Sequence, residues 1–193
     1  MSNSSFTQSK WILYTGIGWF FGVLLVLLLA GLLESIHLDC QSLIGVAMGF
    51  GVGTIQWLLL KKQFAISFMW VIFLIIGLTT PFVIFDVASK YMYLPVESSM
   101  PVIVASGALL SSYLQYRFLL SSLNSTAKSW IGYSLAGWLV ASSLCMFTGY
   151  TIHMHSITRN TIVVINILLF IAAGPILGII TGKGIQGLVK AEN

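Results

Sequence analysis

The chain has 193 residues, 58% of them hydrophobic and 7% charged, with a net charge of +4 and a mean hydropathy of +0.97. Soluble domains carry about 25% charged residues, so the composition excludes a water-soluble globular domain. Two cysteines, Cys40 and Cys145, do not make a disulfide framework.

Six long uncharged runs follow one another: 11–33, 40–60, 63–85, 98–116, 129–158 and 160–182. A helix of about 20 residues crosses a hydrocarbon core of roughly 30 Å, and each run is long enough. The pattern predicts an all-α polytopic membrane bundle of six transmembrane helices. It leaves no room for a second domain, so 1–193 reads as one membrane domain. The first run, Trp11 to Leu33, exceeds the roughly 7–15 residues of a signal-peptide core, and no A-x-A site follows; it reads as a retained span. Lys10, Lys61, Lys62, Arg117, Lys128, Lys183 and Lys190 fall in the N-terminal segment, the second and fourth links and the C-terminal segment. Lys90 and Arg159 fall in the other links, with Glu34, Asp39, Asp86 and Glu97. The positive-inside rule then places both termini in the cytoplasm and accounts for the basic balance without a nucleic-acid partner.

Runs one, three and five open alike, with WILYTGIGW from Trp11, WVIFLIIGL from Trp70 and WIGYSLAGW from Trp130. Each following run carries a glutamine near its cytoplasmic end: Gln56, Gln115 and Gln186. Trp11 to Trp70 and Gln56 to Gln115 are both offsets of 59, while the third unit lengthens before its glutamine. The reading is three helical hairpins, about 10–62, 63–122 and 127–190. Parallel copies differ from the inverted repeats of many secondary transporters, which weighs against an alternating-access carrier.

Gly45, Gly49 and Gly53 on the second run, and Gly174, Gly178 and Gly182 on the sixth, recur every four residues. That spacing puts small residues on one helix face, where backbones approach closely in lipid. Helix association is the first reading of this double zipper; a flat ligand lying on the glycine face is the second. No Asp, Glu, Lys or Arg lies in the middle of a run, although ion and proton pathways usually need them at depth. Asn166 is the costliest deep polar group, with Thr79 and Thr80 nearest in kind. It reads as an interhelical hydrogen-bonding residue first and a ligand contact second. The glutamines read as interfacial amides that satisfy helix-end carbonyls or bridge hairpins, or as a polar ring at the cytoplasmic mouth that binds a headgroup or partner protein. Pro81 and Pro175 are expected to kink their helices, and Pro101 to sit in the first turn of the fourth. His37, His153 and His155, near Asp39, Cys40 and Met154, are weak candidates for a soft-metal site and read first as solvated interfacial residues. No nucleophile–base pair, phosphate loop or carboxylate cluster is recognisable, and no enzyme activity is expected.

Gly49, Gly53, Gln56, Trp57, Leu60 and Lys61 fit G-x-x-x-G-x-x-Q-W-x-x-L-[KR]. The second unit has Ser111, Gln115 and Tyr116 in these places, and in the third Gln186 is followed by Gly187. The pattern resembles a loose group of small bacterial, often cyanobacterial, multi-span membrane proteins. That resemblance implies a bacterial plasma or thylakoid membrane and the hairpin plan, and carries no catalytic residue or cofactor. Three functions are open: an accessory or assembly subunit with a membrane protein partner or self-association, a carrier of a small or lipophilic molecule, and a pigment- or haem-binding subunit. The first is the leading expectation.

Overall fold

A computed structural model describes residues 7–34, 40–92, 96–123, 125–151 and 158–189. These form α1 (Gln8–Glu34), α2 (Ser42–Phe64), α3 (Met69–Ala88), α4 (Val96–Gln115), α5 (Ser129–Thr151) and α6 (Arg159–Val189). A π-helical turn, Tyr116–Leu120, prolongs α4, and a 3-10 turn, Ser125–Lys128, leads into α5. The described residues contain no strand. Each uncharged run becomes one helix. Five of the six helices, all but α4, are long and apolar enough to cross a membrane. α4 equals α3 in length but carries Glu97 and the hydroxyls Ser98, Ser99, Ser106, Ser111 and Ser112. Pro81 and Pro175 lie inside continuous helices, and Pro101 is an interior residue of α4 because that helix starts earlier, at Val96.

Consecutive helices pack side by side, and α6 returns to pack on α1, so the six helices close into a ring. The alternation of direction brings the start of α1 to the end of α6. There Gln186 Nε2 donates to Gln8 Oε1 at 3.0 Å. This end also carries Lys10, Lys61, Lys62, Arg117, Lys128 and Lys183, and is called the basic end below.

Glycines set how closely the helices approach. Within the hairpins, Gly18 faces Gly51 and Val52, Gly77 faces Ser111, and Gly137 faces Leu177. Between hairpins, a β-carbon on Gly49 would lie 2.7 Å from Ile75 Cα of α3, and one on Gly178 would lie 2.8 Å from Ile12 Cα of α1. Helices this close gain dispersion contacts that lipid chains between them would not supply.

The links are tied by local hydrogen bonds. After α2 the chain turns at Ala65, whose φ of 50° and ψ of 28° are left-handed. Trp57 Nε1 reaches over this turn to the Ile66 carbonyl at 3.0 Å, and Lys61 lies over the Trp57 ring at 4.9 Å. At the opposite end, the Asp86 carboxylate of α3 accepts the backbone N–H groups of Gln41 (3.1 Å) and Ser42 (2.9 Å). It meets the unpaired amides and positive dipole end of α2.

Candidate functional site

Two layers of side chains fill the basic half of the ring. Trp11, Trp70 and Trp130, the openings of the three similar sequence segments, are all buried and meet inside it. Trp11 and Trp130 meet edge to face with centroids 6.2 Å apart, and Trp70 and Trp130 are 5.2 Å apart. Leu60, Leu120 and Ile185, each fully buried, pack around them. Next to this cluster lies a layer of amides and hydroxyls. Gln115 is fully buried; its Oε1 accepts from Trp130 Nε1 at 3.0 Å and its Nε2 donates to the Trp70 carbonyl at 3.2 Å. Gln56 Nε2 donates to Thr15 Oγ1 at 3.3 Å. Thr181 Oγ1 accepts from Trp11 Nε1 at 3.0 Å and donates to the Leu177 carbonyl at 2.7 Å. The buried Trp70 Nε1–H has no partner among the described residues.

The glutamines therefore do not form one polar ring. Gln56 serves the α1–α2 seam, Gln115 joins α4 to α3 and α5, and the half-buried Gln186 joins α6 to α1 near the basic end. Facing Trp11 on α6 is Thr181, three residues after Gly178, as Gln56 is three residues after Gly53.

Beyond this plug Trp19, Met48, Leu78, Phe82, Val104 and Trp138 pack together and border a partly enclosed space. A cavity of about 1220 Å³ is lined by all six helices. Trp19, Leu78 and Trp138 close it towards the plug, with the two indoles 5.8 Å apart. Its walls include Val23 and Val26 of α1, Met48 of α2, Phe82 of α3, Val104 of α4, Cys145 of α5 and Ile171 of α6. Ser9, Ser142 and the Cys145 thiol are the polar side chains in the lining, and no charged residue is among them. The same space extends along the outer α1–α6 flank to Leu13, Ile17 and Phe20 on the exposed face of α1, where Gly16 and Pro175 pack together. Such a chamber has no groups that would stabilise an ion or orient a polar substrate, but it matches apolar molecules well.

Asn166 is half-buried on α6 beside the lining residue Ile167 and is not itself part of the wall. Thr79 and Thr80 line a smaller groove on the outside of α3, of about 310 Å³, instead of the bundle centre. Thr80 Oγ1 donates to the Ile76 carbonyl of its own helix at 2.7 Å. His37, His153 and His155 lie outside the described residues. Among the described residues no group of three His, Cys, Asp or Glu side chains is placed to hold a metal ion.

A carrier site at the bundle centre is one expectation from sequence, with Asn166, Thr79 and Thr80 as polar contacts; none of the three lines the chamber, although a signal for its floor is present. Trp19, Leu78 and Trp138 are the ninth residues of the three similar openings. Comparison of the chain with protein-family models, curated proteins and solved structures gave no match.

Proposed function

We propose that this is a non-enzymatic six-span protein of a bacterial plasma or thylakoid membrane, with the basic end in the cytoplasm, that holds a lipophilic molecule inside its helix ring. The cavity carries this reading: it is large, apolar, walled by every helix and open towards the surrounding hydrocarbon. Of the three functions left open by the sequence, it favours the lipophilic-ligand protein. Three hairpin repeats account for the architecture, because the offset of 59 that relates Trp11 to Trp70 also relates the contact of Gly18 with Val52 to that of Gly77 with Ser111.

Purification of the full chain in mild detergent, followed by native mass spectrometry and an absorbance spectrum, tests the proposal. A co-purifying hydrophobic molecule, lost on Val104→Trp at unchanged yield, is the expected result. A ligand-free protein from native membranes opposes it. A visible absorbance band would identify the ligand as a pigment or haem.

The accessory-subunit reading draws on α1, which exposes Leu24, Leu27, Leu28 and Leu32 along one side. A partner helix seated there would co-migrate with the protein in native gels of solubilised membranes; migration of the chain alone would remove this reading.

A further inference from the structure

We infer that the occupant of the cavity is a hydrocarbon chain of a membrane phospholipid, and that it enters sideways through the α1–α6 seam while its headgroup stays at the membrane surface. This rests on the ligand-binding reading above and names its ligand class and route.

The first argument is continuity. Leu13 and Phe20 are 60% and 57% exposed on the outward face of α1, whereas Leu78 and Val104 inside the ring are 2% and 9% exposed, yet all four line the same space. The space thus reaches from the interior to the outer flank of α1, with Trp19 standing between the two. The second is shape. The lining follows α1 from Ser9 to Leu27, which at about 1.5 Å per residue is a length of about 27 Å. That is close to the roughly 30 Å thickness of a hydrocarbon core; the part beyond the floor, from Trp19 to Leu27, is about 12 Å, within the half of the core that one lipid chain fills. The third is chemistry. A charged or strongly hydrogen-bonding ligand would lose its hydration here without replacement; an alkyl chain has nothing to lose.

The route follows from the ring's topology. Every other seam joins helices that are consecutive in the chain, whereas α1 and α6 are held together by side chains and backbone approach alone. Gly174, Gly178 and Gly182 close that seam from its middle to the basic end, against Gly16, Ile12 and Trp11. Beyond them Trp19 Nε1 donates across to the Phe170 carbonyl at 3.1 Å. Trp19 thus belongs both to the floor of the chamber and to its side entrance.

The test uses the full chain in phospholipid nanodiscs containing a phospholipid with a diazirine at mid-chain, irradiated and mapped by mass spectrometry. Adducts on the inward residues Leu78, Val104 and Trp138 are expected, together with adducts on the outward Leu28 and Ile84. Adducts confined to outward residues overturn the inference. If a different lipophilic molecule then co-purifies, the binding reading stands without it; if none does, both fall. Ile17→Trp, which fills the outer groove from the exposed face of α1, is expected to slow the appearance of inward adducts and leave outward ones unchanged. Inward labelling at an unaltered rate overturns the lateral route while leaving the chain as occupant. Val104→Trp, which fills the interior, is expected to abolish inward labelling at Leu78 without slowing outward labelling; its persistence overturns the site.

Discussion

Trp130 hands its indole N–H to Gln115 Oε1 at 3.0 Å, and the same amide hands an N–H to the Trp70 carbonyl at 3.2 Å. One side chain of α4 thereby fastens α5 on one side and α3 on the other. Interhelical hydrogen bonds in membranes contribute up to about 1.7 kcal/mol each. Gln115→Leu, which removes both, is expected to destabilise the bundle by about 1–2 kcal/mol. Gln186→Leu, at a half-buried position near the helix end, is expected to cost about 0.5 kcal/mol. Thermal unfolding of the two variants in one detergent gives the comparison.

The three central tryptophans differ in how their N–H groups are satisfied. Trp11 and Trp130 have partners, and Trp70 Nε1 has none among the described residues. Trp130→Phe strands the Gln115 acceptor and loses packing volume, whereas Trp70→Phe loses volume alone. The first is therefore expected to be the more destabilising by about 1–2 kcal/mol, read as a difference in unfolding midpoint between the two variants.

Gly77 and Gly31 form a second contrast. A β-carbon on Gly77 collides with Ser111, while one on Gly31 meets nothing within 4 Å. Gly77→Ala must push α3 and α4 apart, with an expected cost of about 1–3 kcal/mol. Gly31→Ala adds helix propensity and is expected to be neutral or stabilising by up to about 1 kcal/mol. Equal effects on unfolding would mean that the α3–α4 approach is not limiting.

Ala65 occupies a left-handed conformation, with φ of 50°, at the end of α2. A β-carbon is disfavoured there and glycine is not. Ala65→Gly is expected to raise stability by about 0.5–1 kcal/mol, measured as a higher unfolding midpoint with an unchanged far-ultraviolet circular dichroism spectrum.

Asp86 supplies the cap that α2 lacks from its own sequence, since Gln41 makes no side-chain cap bond. Asp86→Ala leaves the amides of Gln41 and Ser42 without the carboxylate and is expected to cost about 1 kcal/mol. Hydrogen exchange that quickens at the start of α2 and not at the start of α3 would locate the loss.

The helices were legible because charge interrupts the apolar runs at nearly every turn of the chain. Trp11, Trp70 and Trp130 were legible as equivalents because an offset of whole helices preserves their surroundings. The partner of Trp11 was not, since Gln186 offers the residue type found at Gln56 and Gln115, whereas the hydrogen bond falls to Thr181. Spacing from Gly178, not residue identity, decides which side chain points inward. The π turn after α4 hides a similar shift: the offset that carries Gln56 to Gln115 carries Leu60 to Leu119, but the extra residue in the turn makes Leu120 the buried one. The chamber was hidden for a different reason. An empty space has no residue of its own, and its walls are the same Leu, Val, Ile and Met that fill cores elsewhere.

The ring's closure also dictates when it can exist. Of the six helices, α1 is synthesised before the others and α6 after them, and the contact that completes the circle is between these two. Until α6 has packed there, the flank of α1 around Gly16 and Trp19 lacks its neighbouring helix. A chain made only as far as α5 thus presents an open arc of five helices, and the chamber forms once α6 has packed on α1.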